Sequence, residues 1–193
     1  DPIELPNIIL KEFNIDKDEL YFMNRNIEMK HPLMVKNWYD HFKPKSVLDL
    51  GCCRGPYLYF WKWFVEDYYG IEISQWAIQH SFVDHIMIGD VSEEEPYDKI
   101  IDTENFDLIT AIDVLEHLTD EQLNKTLNNM AKYGNKFIFS IPFIGNPDLT
   151  NDKTHKQFKT REEWIKKIES HGIIIIDPPA DWAFAHQLLI GKI

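Results

Sequence analysis

Apolar positions along this chain switch repeatedly between a helical spacing and short near-continuous runs, and from residue 31 onward the two kinds alternate. His31–Phe42 sets Leu33, Met34, Trp38 and Phe42 on one helical face, and Lys43-Pro44-Lys45 stops it. Ser46–Leu50 reads as a strand, followed by a glycine turn. Pro56 suits the first position of a helix that continues to about Glu66, with Leu58, Trp61 and Val65 among its buried candidates. Tyr68–Ile73 is a second strand carrying Glu72 near its end. Ser74 caps a helix to about Phe82, and His85–Ile88 is a short third strand ending at Gly89-Asp90.

Residues 92–105 are acidic and read as a loop. Phe106–Ile112 is a fourth strand, apolar along most of its length as expected when both faces are covered. Thr119 and Gln122 form a capping-box pattern before a helix to about Tyr133, with Leu123, Leu127 and Met130 on one face. Lys136–Ile141 is a fifth strand, and Pro142–Lys159 a long loop of the kind that carries function. Thr160 and Glu163 repeat the capping-box pattern before a helix to about Ser170. Gly172 ends it, Ile173–Ile176 is a strand, Asp177-Pro178-Pro179 a turn, and Phe184–Ile190 the last strand. Residues 1–30 lack a firm period and read as an irregular arm with one helix near Lys17–Asn24; residues 31–193 form one domain. The alternation implies an α/β fold, with a mainly parallel sheet and helices on both faces. Ligands in such sheets bind at the carboxyl ends of the strands, where strand order reverses.

Composition narrows the partners. The 193 residues are 44% hydrophobic and 13% aromatic, enough for a full core. A formal net charge of −12 argues against duplex nucleic acid as the main partner. The two cysteines, Cys52 and Cys53, are neighbours and cannot staple distant segments, so a reducing compartment, the cytoplasm, is expected. No apolar run reaches the length of a membrane span. The chain opens at Asp1 without a methionine, so a processed product or one domain of a longer polypeptide is also expected.

Candidate chemistry gathers at the strand ends. Gly51 lets the backbone approach a ligand closely, and the helix after it aims free N–H groups at the same place. Asp49 can accept from a cationic or hydroxyl-bearing ligand. The Glu72 carboxylate suits the paired hydroxyls of a ribose, and Asp90 an exocyclic amine such as adenine's.

Asp49-Leu50-Gly51-Cys52-Cys53-Arg54-Gly55, Glu72, Gly89-Asp90 and Asp113-Val114-Leu115-Glu116-His117-Leu118, in that order, resemble class I S-adenosylmethionine-dependent methyltransferases over roughly residues 30–193. The resemblance implies a Rossmann-like, doubly wound sheet of seven strands, mainly parallel with an antiparallel last strand, and S-adenosylmethionine as cofactor. It implies that Asp49, Gly51 and Cys52 lie at the methionine part and Glu72 with Ile73 at the ribose. Asp90 with Val91 would lie at the adenine, and Asp113 beside the methionine end. This chain departs from the family's turn at Cys53, where the usual residue is glycine; a side chain there restricts φ and crowds the cofactor side. The stretch from Asp152 through His155 to Trp164 and Gly172 resembles, over a shorter span, methyltransferases acting on hydroxyls of sugars and other small molecules.

Methyl transfer to a hydroxyl benefits from a base, and histidine is the natural one near neutral pH. His155 in the long loop is the leading candidate, His117 its rival nearer the cofactor motifs, and Asp113 a third catalytic candidate. Asp113, Glu116, His117 and Asp152 would suit magnesium or manganese, but their spacing makes no compact ligand motif, so no metal is expected. Lys153, Lys156, Lys159 and Arg161 offer either a solvated loop or a contact to an acidic acceptor. Trp61, Trp63 and Tyr59 read as packing residues, with Trp182 a possible acceptor platform. The expected function is methylation of a hydroxyl on a sugar or other small molecule, with a small-molecule or glycan acceptor. Alternatives are an N-methyltransferase acting on a small molecule or protein, and an inactive methyltransferase-like binding module. A nicotinamide oxidoreductase would need further glycines where Cys53 and Arg54 stand.

Overall fold

The computed structural model describes residues 30–100, 105–146, 149, 152–182 and 185–193. The expected helix near Lys17–Asn24 and most of the 1–30 arm lie outside them. A seven-stranded sheet has the order β3-β2-β1-β4-β5-β7-β6. Its strands are β1 (Ser46–Leu50), β2 (Asp67–Glu72), β3 (Ile86–Ile88), β4 (Leu108–Ile112), β5 (Lys136–Ser140), β6 (Ile174–Ile176) and β7 (Leu188–Lys192). Strands β1 to β5 pair in parallel, while β7 runs antiparallel to both β5 and β6. Strand order therefore reverses between β1 and β4, and a crevice opens there at their carboxyl ends.

The helices are α1 (Lys30–Phe42), α2 (Pro56–Trp61), α3 (Gln75–Gln79), α4 (Glu95–Ile100), α5 (Asp120–Tyr133) and α6 (Arg161–Glu169). Strand residues alternate between two apolar layers. Val47, Leu108, Ile138, Leu188 and Ile190 pack against Val35, Trp38, Leu58 and Trp61 of α1 and α2. Leu48, Leu50, Ile109, Phe137 and Phe139 pack on the other face with Leu123, Leu127, Met130, Trp164 and Ile168 of α5 and α6. Both expected capping boxes form, Thr119 with Gln122 and Thr160 with Glu163, which fixes where α5 and α6 begin.

Several elements differ from the sequence pattern. The segment 92–105 contains α4, because Pro96 fits a first helical turn, Glu95 complements the helix dipole and Tyr97 is buried, its hydroxyl donating to Val91 O at 2.8 Å. Helix α2 stops at Trp61, where i→i−3 bonds from Trp63 and Phe64 tighten the chain. Trp63 is thereby turned outward, 46% exposed, whereas Tyr59 and Trp61 are core. Strand β7 begins at Leu188, since Ala185–Gln187 forms a 3₁₀ turn whose Gln187 O accepts from Ile141 N. Trp182 is buried edge-on to His41 and Phe42 and is no acceptor platform, because α1 covers it.

Candidate active site

Parallel register brings the ends of β1, β2, β4 and β5 to one level: Leu50 pairs with both Ile71 and Ala111, and Ile112 with Ser140. Gly51, Glu72 and Asp113 follow at that level. Gly51 N–H donates to Ile71 O at 2.8 Å, and Asp113 N–H to Ser140 O at 2.9 Å. Gly51 and Gly55 have positive φ, 59° and 77°, so the turn needs residues free of a Cβ penalty.

Cys53, the departure from the family pattern, adopts φ 52° without becoming glycine. A left-handed conformation costs a side-chain-bearing residue roughly 1–2 kcal/mol. Two features retain it here. Its N–H donates to Glu72 Oε2 at 2.9 Å, and its side chain points to solvent, where it crowds nothing in the protein. The other Glu72 oxygen accepts from Ser74 N–H at 2.8 Å. Each carboxylate oxygen keeps a second lone pair, so Glu72 is oriented by backbone while still able to accept from a ligand.

A cavity of about 300 Å³ opens over these ends, lined by Gly51, Glu72, Ile73, Asp90, Val91 and Asp113 among others. Six of the eight expected cofactor residues are thus brought together. Asp90 is oriented by Ser92 N–H at 2.8 Å and faces Gln122 Nε2 at 3.4 Å. Asp49 and Cys52 are placed differently, and neither lines the cavity. Asp49 lies within β1, not at its end; it is buried under α2 and accepts the Thr110 hydroxyl at 2.6 Å. Burial drives its carboxyl pKa up to about 7, with the Glu72 charge adding to the rise. Cys52 packs its sulfur against Gly70, and burial raises its thiol well above the ordinary value.

A second, larger cavity of about 660 Å³ adjoins the first, and Asp113 and His117 line both. Its other walls include Tyr57, Glu116, Ser140, Lys153 and His155. Asp113 has φ 55° and accepts from Ser140 Oγ at 3.0 Å. The long loop after β5 is fastened to the segment after β4: Lys156 and Gln157 N–H both donate to Glu116 O, and buried Gln157 Nε2 donates to Leu118 O at 2.8 Å. This clamp places the His155 ring 4.6 Å from that of His117. Burial lowers the His117 pKa, and His155 beside it adds to the lowering. Glu116 is driven up to about 8 by burial, then by the Asp113 and Asp152 charges.

Donor atoms of Glu116, His117 and His155 lie within 4.8 Å of one another and are arranged to hold a metal ion. These donors make no compact motif along the chain because the third, His155, comes from a different loop. Asp113 and Asp152, the other acidic ligands considered there, stand outside this group of three. Of the basic residues Lys153, Lys156, Lys159 and Arg161, Lys153 lines the larger cavity, as does Lys30 of α1; Arg161 pairs with Asp177 at 2.6 Å, and Lys159 donates to Gln157. Tyr57 and Ser140 were missed because both read as parts of apolar elements, one in an aromatic-rich helix and one closing an apolar strand.

Comparison with known proteins identifies the family and the fold. A family model described as "Methyltransferase domain" matches residues 22–171, well over half the chain. A comparison with curated protein sequences returns no match. The fold is similar to the S-adenosylmethionine-bound structure of CalS10, an amino pentose methyltransferase from Micromonospora echinaspora. That match has 13% identity and a TM-score of 0.67, and covers 92% of this chain and 97% of that one. It is similar also to the sugar N-methyltransferase KedS8 from Streptoalloteichus, at 12% identity and TM-score 0.65, covering 92% of both chains. A third similar structure is the methyltransferase domain of bacterial CtHen1-CN, at 18% identity and TM-score 0.58, covering 84% of this chain and 96% of that one. No helix among the described residues is long and apolar enough to cross a membrane.

Proposed function

The chain belongs to the class I S-adenosylmethionine-dependent methyltransferases, and from that premise we propose that it methylates a hydroxyl of a sugar or another small molecule. The residues at the smaller cavity suit the cofactor. Gly51 presents bare backbone at φ 59°, the buried Glu72 carboxylate suits the ribose hydroxyls, Ile73 and Val91 supply apolar surface, and Asp90 suits the adenine amine. When bound, the cofactor supplies a methyl carbon on a sulfonium; the acceptor oxygen bonds to that carbon as the carbon–sulfur pair returns to sulfur, and the hydroxyl proton has to be removed.

The observation that carries the reading is the junction of the two cavities at Asp113 and His117, with His155 on the acceptor side. The larger cavity is the acceptor site in this reading, and its polar walls suit a hydroxylated molecule better than an aromatic one. His155 donates Nδ1–H to Leu149 O at 2.9 Å, which leaves Nε2 with its lone pair as the candidate base. His117 is the rival, and Asp113 positions groups at the junction. The test is a screen of labelled S-adenosylmethionine against sugars, small phenols, amines and peptides. Label on an oxygen is expected; label only on nitrogen overturns the hydroxyl assignment. N-methylation is the second reading, favoured by the likeness to a sugar N-methyltransferase. Cofactor binding with no transfer to any compound would favour an inactive binding module.

A further inference from the structure

We propose that Glu116, His117 and His155 bind one divalent transition-metal cation on the wall of the larger cavity, and that the acceptor hydroxyl binds this cation. The inference rests on the reading that this cavity receives the acceptor, and it goes further by naming what holds the reacting oxygen.

Three independent features of the side chains converge. The first is proximity: one donor atom from each residue lies within 4.8 Å of the other two. Ligands about 2.1 Å from a shared metal stand roughly 3–4 Å apart, so closure by about one ångström completes the site.

The second is an orphan. Glu116 is 1% exposed, lines the cavity, and its Oε2 has no hydrogen-bond partner. A buried carboxylate oxygen left without a partner costs on the order of 1–3 kcal/mol. A bound ion is one of the ordinary explanations of such an atom, and here the residue also lines a cavity that an ion can enter. Backbone fixes the residue itself, since Glu116 O accepts from both Lys156 and Gln157.

The third is tautomer control. Thr154 Oγ donates its one hydrogen to Asp152 Oδ1 at 2.6 Å, so at its 2.9 Å contact with His117 Nδ1 it can only accept. His117 therefore carries its proton on Nδ1, as His155 does toward Leu149 O. In the neutral form of each ring Nε2 is then the nitrogen that offers a lone pair. Imidazoles oriented through the far nitrogen by a carbonyl, hydroxyl or carboxylate are the common arrangement around metals. In the chain Asp152–Thr154–His117 a loop carboxylate orients the ligand through a hydroxyl.

Two imidazoles and one carboxylate favour a divalent transition-metal cation, which takes nitrogen as well as oxygen donors, over magnesium or calcium, which prefer all-oxygen shells. Three protein donors leave open positions for water and for the acceptor oxygen. Coordination lowers the pKa of the bound hydroxyl; its proton passes to water, and its electron pair remains for the methyl carbon. With the cation in place the two imidazoles are ligands, and proton removal no longer needs either as a base.

The test uses the full chain and manganese(II), followed by the loss of the free-ion electron paramagnetic resonance signal, with S-adenosylmethionine affinity measured separately by calorimetry. One ion per chain is expected, with affinity at least tenfold weaker in Glu116→Gln and in His155→Ala while cofactor affinity stays within twofold. No saturable binding in the wild type, or equal binding in both variants, overturns the site. Transfer to a hydroxyl acceptor is expected to stop with a chelator and return with manganese; turnover indifferent to chelation overturns the cation's role with the acceptor. Saturable manganese binding alongside transfer only to amines would overturn the hydroxyl reading while leaving the cation site standing.

Discussion

Gly51 and Val114 meet across the reversal point of the sheet so closely that a Cβ built on Gly51 would lie 2.6 Å from Val114 Cγ2. Gly51 also holds φ 59°. The position therefore excludes a side chain twice, by backbone conformation and by contact. Gly51→Ala should weaken S-adenosylmethionine binding at least tenfold and lower unfolding stability by about 1–2 kcal/mol. Adding Val114→Ala should relieve the contact but not the φ strain, so affinity should recover only in part. Calorimetry on the three proteins checks this, and wild-type affinity in a folded Gly51→Ala protein would refute the placement of the cofactor over this turn.

Glu72 accepts from the N–H groups of Cys53 and Ser74 as well as facing the smaller cavity. Its removal should cost the charge-assisted bonds to a ligand, about 1.5–3 kcal/mol or roughly 10- to 150-fold in affinity. Glu72→Ala would also free two turn donors, so Glu72→Gln is the better variant, keeping one acceptor oxygen. Cofactor titration with a thermal melt alongside separates the effects: affinity should fall by more than the melting shift explains. Unchanged affinity would remove Glu72 from the ribose.

What the sequence revealed and what it hid follow one physical rule. Residues at or just past strand ends, such as Gly51, Glu72, Asp90 and Asp113, are placed by strand order alone, and runs of Val, Leu and Ile mark most of those strands plainly. Asp49 stands in β1 with the bounds the sequence pattern predicts, but side-chain alternation along a strand turns it into the buried layer, where it meets the Thr110 hydroxyl, and away from the crevice. Helix α4 was hidden because an acidic run looks like a loop until Tyr97 is seen buried. The Glu116–His117–His155 group needed tertiary knowledge outright: 37 residues part His117 from Thr154, and only the loop clamp joins the two segments.

That clamp gives a third prediction. Buried Gln157 donates Nε2–H to Leu118 O at 2.8 Å and to Asp120 Oδ1 at 3.1 Å. Gln157→Leu keeps the volume but leaves Leu118 O without this donor, at a cost of about 1–3 kcal/mol. Because the loss falls on the loop that carries His155, local opening should increase more than global unfolding. Limited proteolysis should cut between residues 152 and 160 several-fold faster than in the wild type at unchanged cofactor affinity. Equal cutting rates would show that the backbone bonds to Glu116 hold the loop unaided.

The last prediction concerns pH and Asp49. Its carboxyl has an ordinary pKa of 3.8 and is driven to about 7 in the fold, chiefly by burial. Between those values the folded protein holds a proton there that the unfolded chain has released. Stability therefore falls as pH rises through this window, and the fall ends once pH passes the folded pKa. The slope is about 1.4 kcal/mol per pH unit for one proton, so from pH 5 to pH 8 the loss should be on the order of 2 kcal/mol. Asp49→Asn cannot titrate, yet its amide oxygen can still accept from the Thr110 hydroxyl. Urea denaturation of the cofactor-free protein at pH 5 and pH 8 isolates the effect. The wild type should lose more stability than Asp49→Asn over this range, and at pH 8 the variant should be the more stable of the two. Parallel pH dependences would mean that Asp49 ionises in the folded protein at its ordinary pH, with the burial offset by partners on the Thr110 side of the sheet.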